Sequence, residues 1–186
     1  LDIAADRFPR ISEDGEGAAD VATILADGYA RLELTEKAAA YLEAGRQAAL
    51  SVDESTRQAA ILVDLVLTAA RGQGVFADST RAILDDIILL EDPSLRSRGL
   101  LSVAEVLAER EVEVDVANLL QQAIPATAQI SSSYTQAGRY ATISSLFRTL
   151  GDTGSARDAE RKSVTLVLET EAPIIQVDEL SALSTV

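Results

Sequence analysis

Carboxylates are the most abundant reactive side chains of this sequence, while two other common catalytic types are missing. The chain carries 30 Asp and Glu residues but no His and no Cys. Thiolate nucleophiles, imidazole bases, disulfides and zinc sites are therefore excluded, and a metal would need an all-oxygen site of the kind that suits Ca²⁺ or Mg²⁺. We expect no cofactor.

The carboxylates themselves are not arranged as a catalytic pair. Asp85 and Asp86 are adjacent and could in principle perform acid–base work. Successive residues of a helix point about 100° apart, so these two do not converge on one substrate atom. The acidic segment 13–17 lacks the ligand spacing of a calcium loop and is interpreted as a solvated linker. The sequence thus predicts that the chain is not an enzyme.

Three arginines mark a repeat. Arg57, Arg98 and Arg139 are 41 residues apart, and one step back reaches Glu16. Eight residues beyond each of these four positions stands a large apolar residue: Ile24, Leu65, Val106 and Phe147. A period of about 40 residues is typical of repeats built from two antiparallel helices. The arginines either pair with nearby acids, such as those at 53, 54, 91 and 92, or form a row that binds anions.

The elements that carry these residues are predicted to be four helix pairs. Apolar residues recur at three- and four-residue steps, and aromatic residues make up only 4% of the chain. Thr35 and Asp92 are predicted N-caps, Pro93 fits a first helical position, and Pro125 is expected to kink or divide its helix. Each second helix has an early alanine that would let its partner approach closely: Ala38, Ala77, Ala117 and Ala159.

The first pair resembles tetratricopeptide-like repeats. Its residues at the characteristic spacing are Leu25, Ala26, Tyr29, Ala38, Leu42 and Gly45. The later pairs fit a longer variant of about 40 residues. The resemblance implies an all-α fold, an α-solenoid of about four antiparallel helix pairs wound as a right-handed superhelix. Other α-solenoids with the same period and a plain helical bundle remain alternatives.

The resemblance also implies which residues face a concave groove lined by the first helices. Carried over from pair to pair, the groove-facing candidates are Asp20, Thr23, Asp27, Arg31, Asp64, Thr68, Arg71, Ser102, Glu105 and Glu109. Asp64 interrupts an otherwise apolar helix and must face solvent, a groove or an arginine, because an unpaired buried carboxylate is costly. The groove is expected to be mildly acidic. The alternative is that these residues are simply the solvated face of amphipathic helices.

Charge narrows the class of partner. The net charge is −14 and the isoelectric point is near 4.3, which disfavours nucleic acid and membrane surfaces. The leading hypothesis is a protein–protein interaction scaffold that binds a protein or peptide, with a cationic partner favoured if the acids line the groove. The sequence is also compatible with self-association of the chain. The alternative is a carrier of a small apolar ligand or lipid, suggested by the apolar stretch 59–70.

The predicted domain organisation has three parts. Residues 1–17 form an N-terminal segment or cap, 18–170 the helical-repeat domain, and 171–186 a capping or linking segment. No run of 18 apolar residues is present, so we expect no membrane insertion. Because the sequence contains no Met, we expect that it begins inside a longer gene product or has lost a targeting segment. The absence of Cys slightly favours export over the cytoplasm.

Overall fold

The computed structural model describes residues 15–71, 76–108 and 115–183, and for 171–183 it describes the backbone alone. These residues form eight helices and no strand. The helices are α1 (Gly15–Arg31), α2 (Thr35–Leu50), α3 (Ser55–Ala70), α4 (Ala77–Ile88), α5 (Pro93–Ala108), α6 (Val116–Ala128), α7 (Ser133–Thr149) and α8 (Thr153–Leu183). The predicted all-α fold of four helix pairs is confirmed.

The pairs are stacked as an α-solenoid in two layers. Each odd-numbered helix packs against the helix that follows it, and α1, α3, α5 and α7 also contact one another in sequence. In the second layer α2 contacts α4, whereas no comparable contact joins α4 to α6 or α6 to α8 within the described residues. Within the described residues, the first helices therefore contact one another along the whole stack, whereas the second helices do so only between α2 and α4.

The core runs through the whole stack, and α3 lies near its centre. Leu62, Leu65 and Val66 of α3 are completely buried among neighbouring helices. This packing explains why α3 is apolar on nearly all sides, since it contacts α1, α2, α4 and α5. The apolar stretch 59–70 is therefore accounted for by core packing.

Four helices, α5 to α8, begin with a side-chain N-cap hydrogen bond, whereas α2, α3 and α4 do not. The Asp92 carboxylate accepts hydrogen bonds from the backbone N–H groups of Ser94 and Leu95 at 2.6 and 3.2 Å, and α5 begins at Pro93 as predicted. The prediction of Thr35 as an N-cap was wrong, because the preceding Leu34 takes that position without a side-chain hydrogen bond. Helix α6 continues through Pro125 without being divided and ends at Ala128.

Equivalent positions of the repeat are buried in some helix pairs and exposed in others. Of the apolar residues that stand eight positions beyond a repeat start, Leu65 and Phe147 are buried, but Ile24 is 67% exposed. No described helix precedes α1 to cover Ile24 as α1 and α2 cover Leu65. Among the predicted close-packing alanines, Ala38 and Ala159 are buried.

The prediction for the other two alanines was wrong, since Ala77 and Ala117 are exposed at the starts of α4 and α6. In α4 the small buried residue is instead Thr80, one turn later, and α6 buries Leu120 at the corresponding point. The frame therefore shifts within the second helices of the two central pairs.

The first pair packs closely around Gly45. All the residues that carry the tetratricopeptide-like resemblance in this pair are buried. Gly45 lies where α2 meets α1 and α3, and a Cβ atom there would be 2.9 Å from Leu65 Cδ2 and 3.2 Å from Ala22 Cβ. The absence of a side chain at Gly45 therefore sets how closely three helices approach.

The last helix is much longer than its partner. Helix α8 has 31 residues against 17 in α7, and Ser163 of α8 donates a hydrogen bond to the carbonyl oxygen of Ala137 near the start of α7. The segment predicted to begin at residue 171 thus starts inside α8 and continues it to Leu183. Residues 1–14 and 184–186, which belong to the predicted terminal segments, lie outside the described residues.

Candidate functional site

Each first helix leaves one stripe of residues open to solvent. The other sides of α3 and α5 are covered by their own pair and by neighbouring pairs, so solvent reaches them along residues such as Arg57, Asp64 and Arg71 of α3 and Arg98 and Glu105 of α5. Along a helix, seven residues make almost two turns, so these residues share a face. We call the combined stripes of α1, α3, α5 and α7 the inner face.

Arg57 joins the first two pairs across the inner face. Its Nε atom is 2.7 Å from Oε1 of Glu16, and its Nη2 atom is 3.0 Å from Oδ2 of Asp20. The expected pairing of repeats through an arginine is therefore present here, with acids of α1 as partners. Among the described residues, Asp53 and Glu54 do not pair with Arg57.

A second ion-pair group lies further along the same two helices, towards their C-terminal ends. Asp27 of α1 is 2.8 Å from Arg31 on its own helix and 3.2 Å from Arg71 of α3. The structure thus brings together several predicted groove residues, namely Asp20, Asp27, Arg31 and Arg71. Their charges largely neutralise one another, and each exposed pair contributes under about 1 kcal/mol.

Asp64 lies between these two groups and differs from them. It is exposed and forms no ion pair with any other described residue. Partial removal from water raises the pKa of Asp64, Arg57 and Arg71 lower it, and the Asp20 carboxylate adds to the increase. The net effect is a carboxylate whose charge is not fully compensated and remains open to an external cation.

Replacing Asp64 by asparagine is expected to stabilise the protein slightly at pH 7. Because the folded-state pKa is raised above 3.8, the native state binds more protons than the unfolded state between the two pKa values, and stability falls as pH rises through that range. The gain at pH 7 should be under about 1 kcal/mol, since Asp64 is exposed. Thermal unfolding should show this gain shrinking as the pH falls through the folded-state pKa and vanishing below 3.8. A variant that is less stable than the wild type at pH 7 would show that the Asp64 carboxylate is stabilised by a partner in the folded state.

The remaining predicted groove residues do not all lie on the exposed surface. Glu105 is exposed on the inner face of α5, and Ser102 is half-buried one turn before it. Thr68 is buried, so it does not line the surface. Thr23 donates its hydroxyl hydrogen bond to the carbonyl oxygen of Ala19, 2.8 Å away on its own helix. Glu109 lies outside the described residues.

A shallow cavity of about 390 Å³ opens between α5 and α7 on the inner face. Glu105 lies on its wall, opposite hydroxyl-bearing residues of α7, and its lining consists of Glu105, Ala108, Thr142, Ser145, Leu146 and Thr149. The sequence did not identify the α7 residues, because the groove positions were carried only as far as the third pair. One further step of 41 residues from Ser102 and Glu105 would have reached Ile143, next to this lining, and Leu146, which belongs to it.

The other two arginines of the 41-residue repeat lie at the same end of the inner face as this cavity. Arg98 is exposed and Arg139 is half-buried, and neither forms an ion pair within the described part of the chain. The Nε atom of Arg139 is buried and has no hydrogen-bond partner among the described residues. Burial lowers the pKa of Arg139, Arg98 lowers it further, and Glu105 raises it. Two guanidinium groups thus lie near enough to act on each other, and neither is paired with a carboxylate of the described residues.

Two further observations concern other kinds of site. Over the described ranges, no cluster of three or more acidic side chains is positioned to hold a metal ion. In the same ranges, every helix is too short or too polar to cross a membrane.

Comparison with known proteins adds no assignment. Neither a protein-family model nor a curated protein matches this sequence.

Proposed function

We propose that this chain is a protein–protein interaction scaffold that binds a peptide or a partner protein along the inner face. The observation that carries the proposal is the open stripe shared by four first helices, in which Asp64 and Glu105 have no ion-pair partner among the described residues. Repeat stacks of this kind present a continuous concave surface whose residues can vary without disturbing the core.

The charges of the inner face indicate which kind of group the partner presents. The Arg57 and Asp27 ion pairs neutralise much of the α1–α3 half, so the acidic character rests mainly on Asp64 and Glu105. A cationic group of the partner would find these two carboxylates at equivalent positions of adjacent repeats. We further propose a tetratricopeptide-like, right-handed arrangement, supported by the buried positions of the first pair.

The carrier hypothesis has less support. It was based on the apolar stretch of α3, whose residues Leu62, Leu65 and Val66 are packed in the core rather than lining an open cavity. The cavity between α5 and α7 is partly polar and is bounded by Glu105 and three hydroxyl-bearing residues. An apolar ligand would leave these groups without hydrogen bonds.

The proposal is tested by selecting peptides that bind the purified chain from a random display library and measuring their dissociation constants. The double variant Asp64→Asn, Glu105→Gln should weaken binding of the selected peptides by about tenfold, which corresponds to about 1.4 kcal/mol. The effect should decrease at high salt, because exposed charges are screened.

Asp78→Asn is the control for loss of a single charge, since Asp78 is a fully exposed acid on α4, in the outer layer. Its removal should change the affinity by less than about twofold, because a distant exposed charge acts only through the screened field. If selection yields no binder, or if Asp78→Asn weakens binding as much as the double variant, the inner face is not the binding surface.

A further inference from the structure

Among the described residues, the repeat arginine of the second pair has acidic partners, whereas those of the third and fourth pairs have none. Arg57 is held by Glu16 and Asp20, which lie on the preceding first helix. Two repeats later the frame places Arg139 in the position of Arg57, and the positions of Glu16 and Asp20 are taken by Arg98 and Ser102. The acids that hold the arginine in the first two pairs are therefore replaced by a second cation and a hydroxyl group.

The surroundings of Arg139 agree with this register. Helices α5 and α7 contact each other as α1 and α3 do. Arg98 acts on Arg139 as a like charge, and Glu105 is the one described acid whose field favours the Arg139 cation. Glu105 nevertheless forms no ion pair with either arginine among the described residues. The Nε of Arg139 is buried without a hydrogen-bond partner there; the Nε of Arg57 also lacks a well-aligned hydrogen bond, but it lies 2.7 Å from Oε1 of Glu16. Within the described residues, the two guanidinium groups therefore have no paired carboxylate.

We propose that Arg98 and Arg139 bind a carboxylate side chain of the partner that occupies the inner face. This inference rests on the proposed scaffold function and adds a charge requirement to it: the partner segment carries an Asp or Glu at the α5–α7 end. Guanidinium groups bind carboxylates through two parallel N–H···O bonds, which makes an arginine pair well suited to this ligand. The hydroxyl of Ser102 supplies a further donor at the same level of α5.

The position within the inner face gives the partner an orientation. Arg98 and Glu105 are seven residues apart on α5, which corresponds to about 10.5 Å along the helix. The cationic site and the carboxylate site are thus about three extended residues apart. A partner segment with an acidic and a basic residue at that separation can satisfy both sites in one direction only.

The proposal can be tested directly because the protein as a whole repels acidic peptides. With a net charge of −14, nonspecific electrostatics oppose the approach of a polyanion. Binding of a glutamate-rich peptide therefore requires a local cationic site, and it identifies one more sharply than it would in a neutral protein.

The experiment is a fluorescence anisotropy titration of a labelled hexaglutamate peptide with the full chain at low salt. The wild type should bind, and Arg98→Gln, Arg139→Gln should reduce the affinity at least tenfold. The matched control is Arg81→Gln, Arg161→Gln, which removes the same total charge from two exposed arginines outside the inner face. It should leave the affinity within about twofold, because each lost charge is distant and screened.

A single variant protects the test against loss of folding at the half-buried Arg139. Arg98 is exposed, so Arg98→Gln should keep the helical circular dichroism of the wild type and still reduce the affinity several-fold. Absence of binding by the wild type, or equal losses in the control, would overturn the carboxylate site. If selected peptides bind through Asp64 and Glu105 but are insensitive to Arg98→Gln, the scaffold function stands and this inference fails.

Discussion

Replacing Gly45 by leucine is expected to lower the free energy of unfolding by about 3 kcal/mol. Gly45 lies where α2 meets α1 and α3, and even a Cβ atom would come within 2.9 Å of Leu65 and 3.2 Å of Ala22. Leu65 is completely buried, so its side chain has no free space into which to rotate. The helices would have to separate, and the packing of the first two pairs would be lost together.

The matched control is Gly138→Leu on α7. A Cβ atom at Gly138 would meet nothing within 4 Å, and a helix interior favours leucine over glycine by about 0.5–1 kcal/mol. Thermal unfolding followed by circular dichroism should therefore show a decrease of about 6–12 °C for Gly45→Leu and a small increase for Gly138→Leu. Similar changes in both variants would mean that α2 does not approach α1 and α3 as closely as described.

Breaking the Arg46–Asp86 ion pair is expected to cost about 2 kcal/mol. This pair joins α2 to α4 in the outer layer, with Nη2 of Arg46 3.1 Å from Oδ1 of Asp86 and Nε donating to the other carboxylate oxygen. The side chains are only 23% and 9% exposed. In Arg46→Gln the Asp86 carboxylate would remain shielded from water without its cation, which is costlier than losing an exposed pair.

Arg81→Gln is the control for this second prediction. Arg81 and Asp78 are exposed and lie 4.0 Å apart within α4, so removal of their pairing should change stability by less than about 0.5 kcal/mol. Urea unfolding of Arg46→Gln, Asp86→Asn and the double variant gives the coupling between the two residues. A coupling near zero would show that the bidentate pair does not contribute to the contact of α2 with α4.

The architecture could be predicted from sequence because its signals are local and periodic. The 41-residue spacing of Arg57, Arg98 and Arg139 gave the frame, and the apolar positions Leu65 and Phe147 gave the core face. The cap formed by Asp92 depends on hydrogen bonds within three residues. Each of these features is set by neighbours along the chain or by one repeated step.

The details of the inner face depend on neighbours in other helices and could not be predicted in the same way. The acids that immediately precede Arg57 were one of the predicted partners, whereas its actual partners Glu16 and Asp20 lie on α1. Thr68 follows Asp64 by one turn but is rotated into the core, since α3 is covered on its other sides. The 41-residue repeat does not predict the Arg46–Asp86 pair, because the two residues lie on second helices at positions whose residue types differ from one pair to the next.

The most direct test of the inner face as the binding surface is an NMR titration of the isotopically labelled full chain with a selected peptide. Amide chemical-shift changes should cluster on the exposed stripes of α1, α3, α5 and α7, with Asp64, Arg98 and Glu105 among the most affected residues. Changes confined to the outer helices α2, α4 and α6 would contradict the proposed binding surface.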